Sequence, residues 1–141
     1  MSNKELIEKY PFLTVRNVWT DEILDTEYTQ FDMIPDGWRK AFGMQMIEEL
    51  NNILVKAGCI DNYRIIQIKE KFGTLRWYSN GIPKNAFEEY TAWVDKYSEL
   101  SARVCINCGK PATKLSRGWI CPYCDDCASK MKYTDFDEIV D

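Results

Sequence analysis

Cys105-Ile106-Asn107-Cys108-Gly109 and Cys121-Pro122-Tyr123-Cys124-Asp125-Asp126-Cys127 place five of the six cysteines in one short stretch of a 141-residue chain that contains no histidine. A thiolate is a soft, charged ligand, and four of them set tetrahedrally suit Zn²⁺ or iron. Two cysteines separated by two residues can hold one ion from a tight turn, and Gly109 supplies the positive φ that such a turn needs. The first pair is Cys105 and Cys108. Three cysteines compete for the other two places. Cys124 and Cys127 give C-x2-C-x15-C-x2-C, within the usual spacing of zinc sites. Cys121 and Cys124 give a shorter x12 separation, so Cys121 stands as an alternative ligand. Four protein ligands leave no open coordination position, and the ion implied is a single structural Zn²⁺.

The competing use of paired cysteines is disulfide bonding. The N-terminal Met1-Ser-Asn-Lys-Glu-Leu6 lacks the charged start and apolar run of a secretory signal. A reducing compartment is therefore expected, where close cysteine pairs favour metal. No thioredoxin-like βαβ pattern surrounds the pairs to suggest a redox dithiol. Cys59, far from the cluster, is expected to pack in the core as a small hydrophobe.

Outward from the cysteines, the chain reads as alternating helices and strands. Ser2-Asn3-Lys4-Glu5 matches a capping box and opens a short helix that stops before Pro11. Phe12-Leu13-Thr14-Val15 is expected to form a short strand, and 20–36 an irregular acidic loop. Asp36-Gly37-Trp38 opens a longer helix in which Trp38, Phe42, Met46, Ile47, Leu50, Ile53 and Leu54 make an apolar stripe, closed by Gly58. Tyr63–Lys69 and Thr74–Tyr78 read as two strands joined by a turn at Glu70-Lys71-Phe72-Gly73. Leu75 and Trp77 share one face of the second strand. Pro83 opens a further helix, with Phe87, Tyr90, Val94, Tyr97 and Leu100 on one side. The predicted fold class is α+β: two main helices packed on a small antiparallel β-hairpin, with a C-terminal zinc-ribbon-like module. Residues 1–104 make the helix–hairpin–helix core, 105–133 the ribbon and 134–141 a solvated, frayed acidic tail, within one compact domain.

Composition narrows the function classes. Hydrophobic residues are 45% and charged residues 28% of the chain, with five Trp and eight Tyr, ordinary for a globular domain apart from the aromatic richness. Net charge is −4. Residues 1–60 carry ten acids against six bases, 61–104 six acids against seven bases, and 105–141 six acids against five bases. An acidic chain is a poor default partner for nucleic acid. The commonest general acid–base residue is missing, and neither a Gly-x-Ser-x-Gly elbow nor a phosphate-binding Gly-Lys-Ser/Thr loop is present. The chain is expected not to be an enzyme, with a catalyst of unfamiliar pattern as one alternative. A second alternative is a nucleic-acid-binding accessory role for Lys69, Lys71, Arg76, Lys110, Lys114 and Arg117, interleaved with Phe72, Trp77, Tyr78 and Trp119. The leading expectation is a protein-interaction module, since Trp, Tyr and Arg are favoured interface anchors. Arg76, Trp77, Lys114, Arg117 and Trp119 form its candidate contact surface.

Three stretches in order carry a resemblance: Gly37-Trp38 opening a helix; Gln67-Ile68-Lys69-Glu70-Lys71-Phe72-Gly73-Thr74-Leu75-Arg76-Trp77-Tyr78; and Cys105-x2-Cys108-Gly109 followed by Arg117-Gly118-Trp119 and the last cysteines. With Tyr10-Pro11 ahead of them, they resemble a family of small, largely uncharacterised proteins of bacteriophages and prophages, over roughly residues 10–130. The family's Leu-Cys-Asp-x-His or Leu-Cys-Asp-x-Cys ending implies Cys124 and Cys127 as the final ligands. This chain departs from it by ending in Cys and by carrying Cys121 as well. The resemblance implies a viral protein in the cytoplasm of a bacterial host, and it brings no activity with it. A host protein, for example a basic nucleic-acid-handling or defence factor that the chain inhibits, is the expected partner. Asp21, Glu22, Asp25 and Glu27 are the acids expected to steer it. No membrane association is expected, because no apolar run approaches the ~20 residues of a membrane-crossing helix.

Overall fold

The central helical rod begins at Asp36, where Pro35 holds an extended conformation that no helix can continue backwards through. The computed structural model describes residues 1–24 and 26–140. The rod runs through α2 (Asp36–Trp38), a π turn (Arg39–Gly43) and α3 (Met44–Ala57). Its stripe repeats largely every four residues, which drifts about 40° per step on a helix of 3.6 residues per turn. The wider π turn takes up part of that drift, and Trp38, Phe42, Met46, Ile47, Leu50, Ile53 and Leu54 are all buried. Gly58 ends the helix in the left-handed conformation, at φ 70°.

Strands β1 (Arg64–Lys71) and β2 (Thr74–Asn80) form an antiparallel hairpin, with Ile68 opposite Trp77, Lys69 opposite Arg76 and a bulge between Ile65 and Gln67. Ile65, Ile68, Leu75 and Trp77 point inward and are buried. Helix α4 (Lys84–Ser101) packs across β2 and against α3. The seam is aromatic. Trp77 meets Trp93 edge-on at 5.2 Å, Tyr90 stacks on Trp93 at 5.6 Å, and Tyr97 meets Phe42 at 5.4 Å. Apart from the Tyr97 hydroxyl, which is buried without a hydrogen-bond partner among the described residues, polar edges of the seam find partners inside the core: Trp77 Nε1 donates to Tyr63 Oη (2.8 Å), Trp93 Nε1 to the Met46 carbonyl (3.0 Å), and the Tyr63 and Tyr90 hydroxyls bond each other (2.8 Å). Such satisfaction is what lets large amphipathic rings be buried at little cost.

The C-terminal part is a three-stranded sheet in the order β4 (Pro122–Tyr123), β3 (Lys114–Ser116), β5 (Phe136–Glu138), with α5 (Asp125–Ser129) after β4. It corrects one expectation. The acidic tail is not simply frayed, because Phe136–Glu138 completes the ribbon by pairing with Lys114–Ser116, and the Phe136 ring meets Tyr123 edge-on at 5.8 Å.

Three further expectations change. Ser2 does cap α1 (Asn3–Lys9), accepting from the Glu5 amide at 3.2 Å. Residues Phe12–Val15 are not a strand, however. Pro11 fixes φ at the start of a 3₁₀ turn over Pro11–Leu13, which buries Phe12 and Leu13. The acidic loop contains a 3₁₀ turn at Gln30–Met33, closed by Asp32 accepting from the Thr29 amide at 2.7 Å. On α4 the buried face is Ala86, Tyr90, Trp93, Tyr97 and Ser101, while Phe87 is 63% exposed. Phe87 lies about 100° round the helix from Ala86, beyond the edge of the stripe.

Gly37 joins the rod to the ribbon. Its amide donates to the Ile106 carbonyl at 2.7 Å, and a Cβ on residue 37 would lie 2.1 Å from the Cys105 carbonyl oxygen. Next to it, Trp38 Nε1 donates to the Val104 carbonyl at 2.9 Å. Gly37→Ala should therefore force rod and ribbon apart, costing about 3 kcal/mol in denaturant unfolding, the upper part of the range for overpacking. Trp38→Phe keeps the ring but strands a buried carbonyl, and a loss of about 1–3 kcal/mol is expected.

Candidate metal centre

Cys105 and Cys108 sit on a turn directly after α4, closed by the Cys105 amide to the Lys110 carbonyl (2.8 Å) and the Gly109 amide to the Cys105 carbonyl (3.0 Å). Gly109 holds φ 86°, and a Cβ there would come 2.8 Å from the Gly37 carbonyl oxygen. Cys124 and Cys127 come from the second turn. Cys124 caps α5, its sulfur accepting from the Cys127 amide at 3.4 Å. Asn107, inside the first turn, reaches across to donate to the Cys127 sulfur at 3.3 Å.

The Sγ atoms of Cys105, Cys108, Cys124 and Cys127 all lie within 4.8 Å of one another. A tetrahedron with metal–sulfur bonds of about 2.3 Å has edges of about 3.8 Å. The Cys108–Cys124 pair, at 3.5 Å, is near that edge and far from the ~2.05 Å of a disulfide. All six cysteines are free thiols. Four converging sulfurs, three of them buried, with amide N–H groups aimed at two of them, are a donor set that can hold a soft metal ion. Burial opposes ionisation of Cys105, but hydrogen bonds from the backbone at Cys124, Cys108 and Asn107 outweigh it and bring its pKa down to about 7.

Cys121 is resolved against. It is buried, yet it lies outside the cluster. Its amide donates to Ser116 Oγ at 2.9 Å, and its side chain faces Glu70 of the hairpin. Burial, then the negative charge of Glu70, pushes its pKa up to about 11, so it stays a neutral thiol. Cys121 precedes β4, whereas Cys124 caps α5 and Cys127 lies within it, so the two cluster cysteines come from the turn after the strand and Cys121 from the side facing Glu70.

Glu70 is the residue that sequence reasoning missed. One carboxylate oxygen accepts from Trp119 Nε1 at 2.7 Å and the other from the Gly73 amide at 3.0 Å. Nothing in local spacing connects Glu70 with a tryptophan 49 residues later. Its position between two lysines at a hairpin tip was the only available sign.

The candidate contact residues divide. Trp77 is corrected: it is 6% exposed and belongs to the core, because alternation places it beside Leu75 on the inner face. Lys114 is held between Asp125 (3.1 Å) and Glu138 (2.9 Å), and Arg117 pairs with Asp137 at 2.6 Å. Both act within the ribbon sheet. Arg76 and Trp119 remain solvent-facing. The described residues contain no helix long and apolar enough to cross a membrane. Comparison with models of protein families, with curated proteins and with solved structures finds no match to this chain.

Substitution separates the two neighbouring thiols. Cys127→Ser is expected to lose the bound metal during purification and to weaken the ribbon, whereas Cys121→Ser keeps a full equivalent, measured by elemental analysis of the folded protein. Equal metal loss in both variants would reject this ligand set.

Proposed function

We propose that this chain is a non-catalytic protein-binding module whose ribbon is folded around one structural Zn²⁺ held by Cys105, Cys108, Cys124 and Cys127. Four thiolates complete a tetrahedral shell and leave no position for an activated water. Binding free energy of such an ion is folding free energy. Metal analysis should therefore give one zinc and no iron per chain. A chelator at neutral pH should abolish amide-exchange protection first in β3, β4 and β5, ahead of the β1–β2 hairpin. Protection in the ribbon that survives zinc removal would defeat the structural role.

The observation that carries the binding reading is the surface formed by residues 17–24 together with Tyr28. It presents Val18, Trp19, Ile23, Leu24 and Tyr28 to solvent, with Trp19 91% exposed. It is also pinned. Asn17 Oδ1 accepts from the amides of Trp19 (2.8 Å) and Thr20 (3.1 Å), and the Asn17 amide donates to the Glu22 carbonyl at 2.8 Å. The Asp21 carboxylate takes a two-pronged grip from Arg64, at 2.7 and 3.2 Å. That hydrogen bonding, opposed by slight desolvation and reinforced by the Arg64 and Arg16 charges, lowers the Asp21 pKa. A pre-ordered loop loses little entropy on docking, and an exposed tryptophan is the residue type that most often anchors an interface.

Glu22 and Glu27 are exposed beside these apolar side chains, so the partner that fits has an apolar pocket with a basic rim. In this reading the partner is a bacterial host protein of the nucleic-acid-handling or defence class, inhibited by occupation of its basic surface. Asp21 is already engaged by arginine and Asp25 lies outside the described residues; Glu22 and Glu27, both exposed, are the steering charges in this reading. Trp19→Ala should abolish capture of the partner from bacterial extract at an unchanged thermal midpoint. Glu22→Gln with Glu27→Gln should slow association severalfold at low salt and leave dissociation unaltered. Capture that survives Trp19→Ala would reject this surface.

A further inference from the structure

The outward face of the hairpin breaks two rules of sheet construction at once. Lys69 and Arg76 stand directly opposite each other across β1 and β2, an arrangement of like charges that destabilises a strand pair. Lys71 lies on the same face two residues further along. Among the described residues none of the three has a carboxylate within ion-pairing distance, although Arg64 and Arg117 each have one and Lys114 has two. Arg76 Nε donates only to Thr74 Oγ1, at 3.1 Å, and Lys71 lies 5.7 Å from the centre of the Phe72 ring.

The second broken rule is at the turn. Phe72 and Gly73 hold φ of 53° and 81°, the two positive values of the tight turn that favours Asn-Gly. A phenylalanine in the left-handed region is strained. It is not kept there by packing, since Phe72 is 69% exposed. Across a groove of about 230 Å³, lined by Lys69, Lys71, Phe72, Trp119 and Ile120, stands a second exposed ring. Trp119 is 78% exposed, yet its indole edge is fixed to Glu70, which leaves its faces free in a set orientation. Glu70 also lines the groove, but both its oxygens are occupied by Trp119 and Gly73.

We propose that this face binds single-stranded nucleic acid, with Lys69, Lys71 and Arg76 on successive phosphates and Phe72 and Trp119 stacking bases. Unpaired cations beside fixed, sequence-tolerant ring faces are the components of single-strand recognition. Lys69 and Lys71 are about 7 Å apart along the strand, comparable with the repeat of an extended sugar–phosphate chain. A polyanion running over Lys69 and Arg76 relieves the repulsion that the free protein carries. This surface is separate from that of residues 17–24 and Tyr28 and stands without it.

The test is fluorescence anisotropy of the zinc-loaded full-length chain with a labelled oligothymidylate of about 15 nucleotides, from about 20 to 200 mM salt. Three phosphate contacts predict a slope of log K against log salt near −2, at about −0.7 for each contact on a single strand. Lys69→Gln with Arg76→Gln should flatten that slope by about 1.4. Phe72→Asn should weaken binding about tenfold at every salt concentration while raising the thermal midpoint, because asparagine suits the turn. Phe72→Leu, which keeps an apolar side chain in the turn, should lose the same affinity. Absence of binding at the lowest salt would overturn the proposal. So would undiminished binding by both Phe72 variants, or equal affinity for a DNA duplex, a polyglutamate peptide or anionic lipid vesicles.

Discussion

The carbonyl oxygen of Cys105 occupies the space that any side chain on residue 37 would need. This exclusion fixes the relation between the two parts of the molecule. The first turn of the central rod lies directly on the first cysteine turn, and the Gly37 amide and Trp38 indole bond to carbonyls on either side of Cys105. Gly109 makes the reciprocal approach to the Gly37 carbonyl. Two glycines facing each other across a backbone contact give the cysteine turn a rigid floor. The loop that presents Cys105 and Cys108 to the cluster is thereby ordered by the helical core.

A second junction ties the ribbon to the hairpin. Glu70 accepts from Trp119 and Gly73 and faces the neutral thiol of Cys121. A carboxylate half out of water is tolerable when its oxygens accept several donors. The cysteine outside the four-sulfur cluster is thus used in the seam between β-hairpin and ribbon, which accounts for its burial.

Stability and recognition are distributed unequally over the hairpin. Its inner face is built for packing, with Ile65, Ile68, Leu75 and Trp77 buried and the Trp77 indole edge bonded to Tyr63. Its outer face and tip are not, with opposed cations and a strained phenylalanine. Local choices that contradict the fold concentrate where a surface is used for something other than folding. The segment from residue 17 to 24 shows the complementary arrangement, in which apolar side chains are held out in water while the backbone is hydrogen-bonded through Asn17 and Leu24.

Much of this protein was legible in one dimension. The rod, its glycine stop, the hairpin and its inner face follow from periodicity, because burial of one helical stripe or one strand face is a local pattern repeated along the chain. Cysteine spacing likewise identifies a metal-binding pair of turns, since two residues between thiols set their reach. The rest required three dimensions. Spacing could not choose between Cys121 and Cys127, because that choice depends on how the turn from β4 into α5 folds back onto Cys105 and Cys108. The fate of the tail depended on a free edge of β3 that exists only once the ribbon has folded. Glu70 and Trp119 meet across 49 positions of sequence, and Lys69 lacks a carboxylate partner among the described residues because of where their acids fall in space. Periodic burial is written residue by residue, whereas a contact between distant segments is decided by the packing that brings them together.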